Sequence, residues 1–290
     1  MTGKNFKVFG IRGSLIGDSI MALPVLNYID KKAPGCYKYW QVARKCSQAA
    51  PLYINHPLID QIVISDCDEG MGPRDIEIAK QCQYVFNVMP QHPEGDNWPN
   101  IRDIYHETFR MAGFSDAQYA EMTEEEKRPK LYKWFPVEIQ KRKTIALWPC
   151  AGYGKENKRN PSREWYDTFT DELIKAGYTI YQFGHPRDYT FDYWWTPSYF
   201  KDYRLLSFFD QIKLSLGCDL VVGTDSGSTL IFGAYEHPTI SLLTNHWPGH
   251  VNNPYAFATN STKNYNFFAP NGASNIHVNE VINKVKELVP

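Results

Sequence analysis

Neither sign of charge prevails in the 290 residues: 31 Lys and Arg stand against 32 Asp and Glu, a formal net charge of −1. No long-range field therefore draws the chain to nucleic acid, and any anion it binds must be held by a local site. No apolar run approaches the roughly 20 residues of a membrane span, and the N-terminal stretch is broken by Lys7, Arg12 and several glycines. The expectation is a cytoplasmic protein without a spanning segment. Cysteine is scarce, six residues at 36, 46, 67, 82, 150 and 218 with no CxxC spacing, which argues against a zinc knuckle or a disulfide scaffold. The eight His include no HExxH, so imidazole-based metal catalysis is not expected. Two glycine fingerprints are missing as well. There is no GxxxxGK[ST], and Gly10, Gly13 and Gly17 do not fall into GxGxxG, which argues against a P-loop and an ordinary dinucleotide site.

What the chain does contain is alternation, over a length that predicts about two domains. Residues 6–11 form a short apolar run that ends in glycines, and Ile20, Met21, Leu23, Leu26 and Ile29 follow at helical spacing. Pro24 lies inside that pattern and predicts a kink or a later helix start. Residues 61–65 and 84–88 read as further strands. Composition shifts over 124–143 to dense mixed charge with two prolines, which places a domain boundary there. The pattern then restarts with a strand at 144–148 and a polar loop at 149–163. A helix follows with Ser162 as its N-cap and Gly177 as its stop, then strands at 178–183, 219–223 and 238–243, and helices at 227–235 and 278–288. The expected fold is α/β: two Rossmann-like domains with mostly parallel sheets and an interdomain cleft, over 1–135 and 140–275, with a C-terminal helix at 276–290.

Four segments carry candidate chemistry. In residues 221–243 a buried strand delivers Asp225, and Ser226, Gly227, Ser228 and Thr229 form a small-residue turn opening into a helix. Free amides and the positive end of the helix dipole suit a phosphate or diphosphate there. The alternative is that Asp225 or Ser226 merely caps the helix. The loop 151–159 holds two glycines and three cations, with Lys158 a candidate point charge for a diphosphate, or else is a solvated basic loop. Asp18, after Gly17 at the first strand-to-helix turn, is either a base for a nucleophilic hydroxyl or a helix cap. Asp66-Cys67-Asp68 matches the DxD pattern that can hold a divalent cation, although Asp is frequent in such loops for turn reasons alone. The aromatic segment 189–203 reads as a lid, an acceptor-stacking surface or a packed loop.

Taken together, these segments resemble the glycosyltransferases of family 9, the heptosyltransferase-like enzymes of lipopolysaccharide assembly. IGDSIMALPVL resembles the family's Gly-Asp…Pro element at the first turn, and HPLIDQIVI its following strand. IALWPCAGYGKENKRNPSREW resembles the nucleotide-side loop, YQFGHPRD the strand ending in Gly184, and CDLVVGTDSGSTLIFGA the Asp-Ser-Gly turn and helix. The resemblance implies a GT-B fold and an inverting transfer of sugar from a nucleotide-diphosphate sugar to a glycan or lipopolysaccharide-type hydroxyl. It implies no metal or other cofactor and no nucleic-acid partner, and it leaves room for a peripheral place at a membrane surface. By position Asp18 matches the catalytic base and Lys158 the phosphate-contacting lysine. Gly17, Gly184, Asp225, Ser226, Gly227, Ser228 and Thr229 fall on the substrate-binding elements. The same resemblance puts Asp66 and Asp68 in an ordinary loop. Two departures stand out: Leu230 occupies the position of a His three residues after the Asp-Ser-Gly glycine, and the acceptor loops over 90–125 are expected to be reduced or divergent. The alternatives are a non-catalytic nucleotide-sugar or carbohydrate-binding protein of the same fold, and a sugar-nucleotide epimerase or hydrolase.

Overall fold

The structure, a computed structural model, describes residues 6–11, 15–88, 104–140, 143–151, 158–188, 191, 198–244 and 263–290. The chain divides into two compact units, Met1–Trp134 and Phe135–Pro290. The first is built on four parallel strands in the order β3-β2-β1-β4: β1 (Lys7–Ile11), β2 (Tyr37–Val42), β3 (Gln61–Ile64) and β4 (Tyr84–Asn87). Between β1 and β2 the helical pattern is split in two, α1 (Ile16–Met21) and α2 (Pro24–Lys32). Pro24 sits in the first turn of α2, where its missing N–H costs nothing. A 3-10 helix (Arg44–Tyr53) follows β2, and α3 (Pro73–Ala79), α4 (Ile104–Met111) and α5 (Asp116–Ala120) complete the unit. Gly10 lets the sheet close over its aromatics: a Cβ there would lie 2.7 Å from the Phe86 ring and 2.9 Å from Trp40.

The second unit is a six-stranded parallel sheet in the order β10-β9-β8-β5-β6-β7. In chain order its strands are β5 (Thr144–Trp148), β6 (Thr179–Gln182), β7 (Phe200–Asp202), β8 (Leu220–Thr224), β9 (Thr239–Thr244) and β10 (Asn264–Ala269). Its helices are α6 (Arg163–Lys175), α7 (Phe208–Ser215), α8 (Gly227–Ala234) and α9 (Val278–Leu288). The strand first in sequence, β5, lies inside the sheet between β8 and β6, and every residue of it is buried. Such burial on both faces is the rule for parallel sheets covered by helices. Asp219 fixes its register, accepting from Thr144 N at 2.8 Å and Thr144 Oγ1 at 3.1 Å. α9 packs on α6 and puts Val281, Ile282 and Val285 into the same core as Trp165, Phe169 and Leu173.

Ser162 caps α6, its hydroxyl accepting from Trp165 N at 3.3 Å. Gly177, at φ +84°, ends the helix as Tyr178 N returns to Leu173 O. The aromatic segment 189–203 resolves in part: Phe191 is buried in the core, and Phe200–Asp202 forms β7, an edge strand paired to β6. Residues 189, 190 and 192–197 lie outside the described residues, as do 89–103 of the expected acceptor loops.

Candidate functional site

In a parallel sheet the carboxyl ends of all strands share one edge, and the loops that leave β5, β6 and β8 converge there. From β8 the chain passes through Asp225, 7% exposed, to Ser226, the N-cap of α8. The sequence allowed Ser226 to satisfy the helix end itself, and the structure shows otherwise. The Ser226 hydroxyl makes no cap bond and lies 2.6 Å from Ser228 Oγ. Thr229 turns its hydroxyl back, donating to Thr224 O at 3.2 Å and Ser226 O at 3.0 Å. Gly223 makes room for it, since a Cβ there would lie 2.9 Å from Thr229 Cγ2. The first turn of α8 carries no acidic residue, and its flank is wholly buried from Ser228 to Ala234. The amides of Gly227, Ser228 and Thr229 thus form a positive helix end that no cap side chain neutralises, two hydroxyls beside it.

The loop after β5 reaches the same turn. Its ends are pinned: Asn160 Oδ1 accepts from Ala151 N at 2.7 Å, and Tyr166 donates to Pro149 O at 2.7 Å. Residues 152–157, with both glycines and Lys155, lie outside the described residues. Among the described residues of this loop, Arg159 is the cation that meets the turn, its guanidinium donating to the Asp225 carbonyl. Lys158 is exposed, and its carbonyl accepts from Ala273 N at 2.8 Å. Sequence reasoning counted Arg159 among three loop cations without singling it out, because adjacency to Lys158 does not reveal which side chain turns inward. In the loop after β6, Gly184 adopts φ +123° and donates its amide to Gln211 Oε1 at 2.8 Å. A Cβ at Gly184 would lie 2.5 Å from Asp188 Oδ2. That carboxylate accepts from His185 N at 2.7 Å, and burial pushes the Asp188 carboxyl above its ordinary value.

In the first unit, Asp18 stands at the third position of α1, half-exposed, and Gly17 before it is buried. It is not the N-cap residue; its Oδ2 accepts from Leu15 N at 3.2 Å. A shallow pocket next to it is lined by Leu15, Ile16, Ser19, Val42, Cys46 and Tyr53 among others. The Asp66-x-Asp68 pair is separated. Asp68 is held by Arg44 Nε and Nη2, both at 3.0 Å, and that bond keeps its carboxyl below the usual range.

Residues 101–269 match the family model of glycosyltransferase family 9 (heptosyltransferase). The chain belongs to glycosyltransferase family 9. It is a glycosyltransferase by that membership, and solved structures agree with its fold. It is similar to the ADP-heptose lps heptosyltransferase II of E. coli, with 14% identity, a TM-score of 0.72 and 98% of each chain covered. It is also similar to the family 9 glycosyl transferase of Veillonella parvula DSM 2008, at 14% identity and TM-score 0.65, over 99% of this chain and 97% of that one. A third likeness is to the dodecameric iron-containing heptosyltransferase TibC in complex with ADP-D-beta-D-heptose. Identity there is 13% and the TM-score 0.67, over 100% of this chain and 79% of TibC. No curated protein matches the chain in sequence. Leu230 of this family 9 chain is 6% exposed, packed into the apolar flank of α8.

Proposed function

We propose that this family 9 chain moves a heptose from an ADP-heptose-type donor to a hydroxyl of a glycan or glycolipid, with inversion at the anomeric carbon. The uncapped N-terminus of α8 carries the reading. In it the donor diphosphate takes the amides of Gly227, Ser228 and Thr229, with the hydroxyls of Ser226 and Ser228 as neutral donors. Arg159 holds the Asp225 carbonyl and so fixes the turn, and Lys158 and Gly184 border the nucleotide. Asp18 removes the proton of the acceptor hydroxyl as its oxygen attacks the anomeric carbon. The bond from that carbon to the diphosphate oxygen breaks, and its electron pair leaves on the nucleoside diphosphate. Donors already oriented toward that charge stabilise it without reorganising, so the reading calls on no metal ion at the diphosphate. It places the protein in the cytoplasm, and at a membrane surface when the acceptor is a glycolipid.

The test is ADP release from ADP-heptose with and without acceptor glycans. Asp18→Asn is expected to lower kcat about 10²–10⁴-fold while donor binding persists, because it removes a base and leaves a hydrogen-bonding group of the same shape. Undiminished turnover in that variant refutes Asp18 as the base. Donor binding with no turnover on any acceptor would favour the non-catalytic alternative, which the loss of a polar donor at Leu230 supports. Free sugar or an isomer formed without acceptor would point to a hydrolase or epimerase.

A further inference from the structure

A fully buried carboxylate lies far in the sequence from every residue of the reading above. Asp75, in the first turn of α3, is 0% exposed. Its Oδ2 is doubly satisfied, accepting from Ser65 Oγ at 2.5 Å and Gly72 N at 2.9 Å. Its Oδ1 is buried and has no hydrogen-bond partner. Buried charges in proteins are paired or coordinate metals, and among the described residues no Lys, Arg or His forms an ion pair with Asp75. What does stand near it is a thiol and a second carboxylate. One ligand atom each from Asp66, Cys67 and Asp75 lie within 4.8 Å of one another. Gly72 is what admits Asp66, since a Cβ at that position would lie 1.6 Å from Asp66 Oδ1. The neighbouring acids are engaged elsewhere, Asp68 with Arg44 and Glu69 with Lys45.

We infer that Asp66, Cys67 and Asp75 form a binding site for one divalent transition-metal ion of the zinc type, at the junction of β3 and α3. The ion supplies the missing partner of Asp75 Oδ1. A thiolate with two carboxylate oxygens selects zinc, cobalt or ferrous iron over magnesium or calcium, which prefer oxygen alone. Bond lengths of about 2.0–2.3 Å bring three ligands to within roughly 3.5 Å of one another, so the group closes by an ångström or so on binding. Asp66, exposed at the mouth, can make that movement. The Cys67 thiol now donates to Glu69 O at 3.0 Å; on binding, sulfur bonds the metal and its proton leaves to solvent. A fourth position is left for water, and the site ties the β3–α3 loop to the sheet.

Cobalt(II) added to the whole reduced protein, kept in a thiol-free reductant, tests the site directly. Expected is a thiolate-to-cobalt charge-transfer band in the near ultraviolet that saturates at one equivalent, is displaced by zinc and is unaffected by excess magnesium. Cys67→Ser abolishes the band, and Cys82→Ser leaves it intact. Asp75→Asn could disturb the fold, so Asp66→Asn, at an exposed position, is the second variant; it weakens binding by about tenfold or more. No band at one equivalent, or a band that survives Cys67→Ser, overturns the site.

Discussion

At the scale of single residues, burial decides which groups carry charge. His56 is 5% exposed, with Nδ1 accepting from Leu58 N at 3.2 Å and Tyr132 edge-on at 5.1 Å. Desolvation lowers it from 6.5 to about 4, against a smaller opposing effect of a backbone hydrogen bond at Lys130. The unfolded chain therefore binds this proton more readily than the native one. Stability from this group is complete above pH 6.5 and falls as the pH drops towards 4, by about 3 kcal/mol in all. Urea unfolding at pH 7 and pH 4.5 should show that loss, and His56→Gln should flatten the slope by one proton. Cys218 shows the same physics: burial pushes its thiol up to about 12, so it stays inert where a thiolate would react. The candidate site was legible at this scale only in part. Asp18, Lys158 and the 225–229 turn stood out by residue type and spacing. Arg159 did not, since its inward path depends on a carbonyl 66 residues away.

At the scale of elements, strands written as apolar runs and helices with caps could be read, and those whose polar groups are satisfied from a distance could not. β5, β8 and β9 are fully buried and apolar enough to read directly. β2 escaped because it buries Lys38 and Gln41. Lys38 donates to Asp30 Oδ1 at 2.7 Å and Gln41 to Gly70 O at 2.9 Å, partners that local sequence does not announce. β7 has only three residues, and β10 is a half-exposed edge strand rich in Asn and aromatics. α6 was legible from both ends, and its cap is open to measurement. Ser162→Ala removes the acceptor of Trp165 N and should cost about 1 kcal/mol. Thermal unfolding of that variant would show a lowered midpoint, with Ser162→Asp restoring most of it.

At the scale of the whole molecule, every group assigned to the diphosphate lies in the second unit, with its own sheet and its own core. A fragment of residues 135–290 should therefore keep ADP-induced stabilisation, about 2.7 kcal/mol at 100 times the Kd. A fragment that folds but shows no shift with ADP would place part of the nucleotide contact on the first unit. The position of β5 has a further consequence, one that belongs to synthesis on the ribosome. Ile145 pairs with Leu220, its neighbour in the sheet but 75 positions later in the chain. At about 5–20 residues per second, roughly 4–15 s pass before that partner is made. Strand β6 is made earlier and can fill one edge of β5, but until β8 follows, a buried and largely apolar strand waits with its other edge bare, which makes the nascent chain a client for chaperones and growth temperature a strong control on soluble yield.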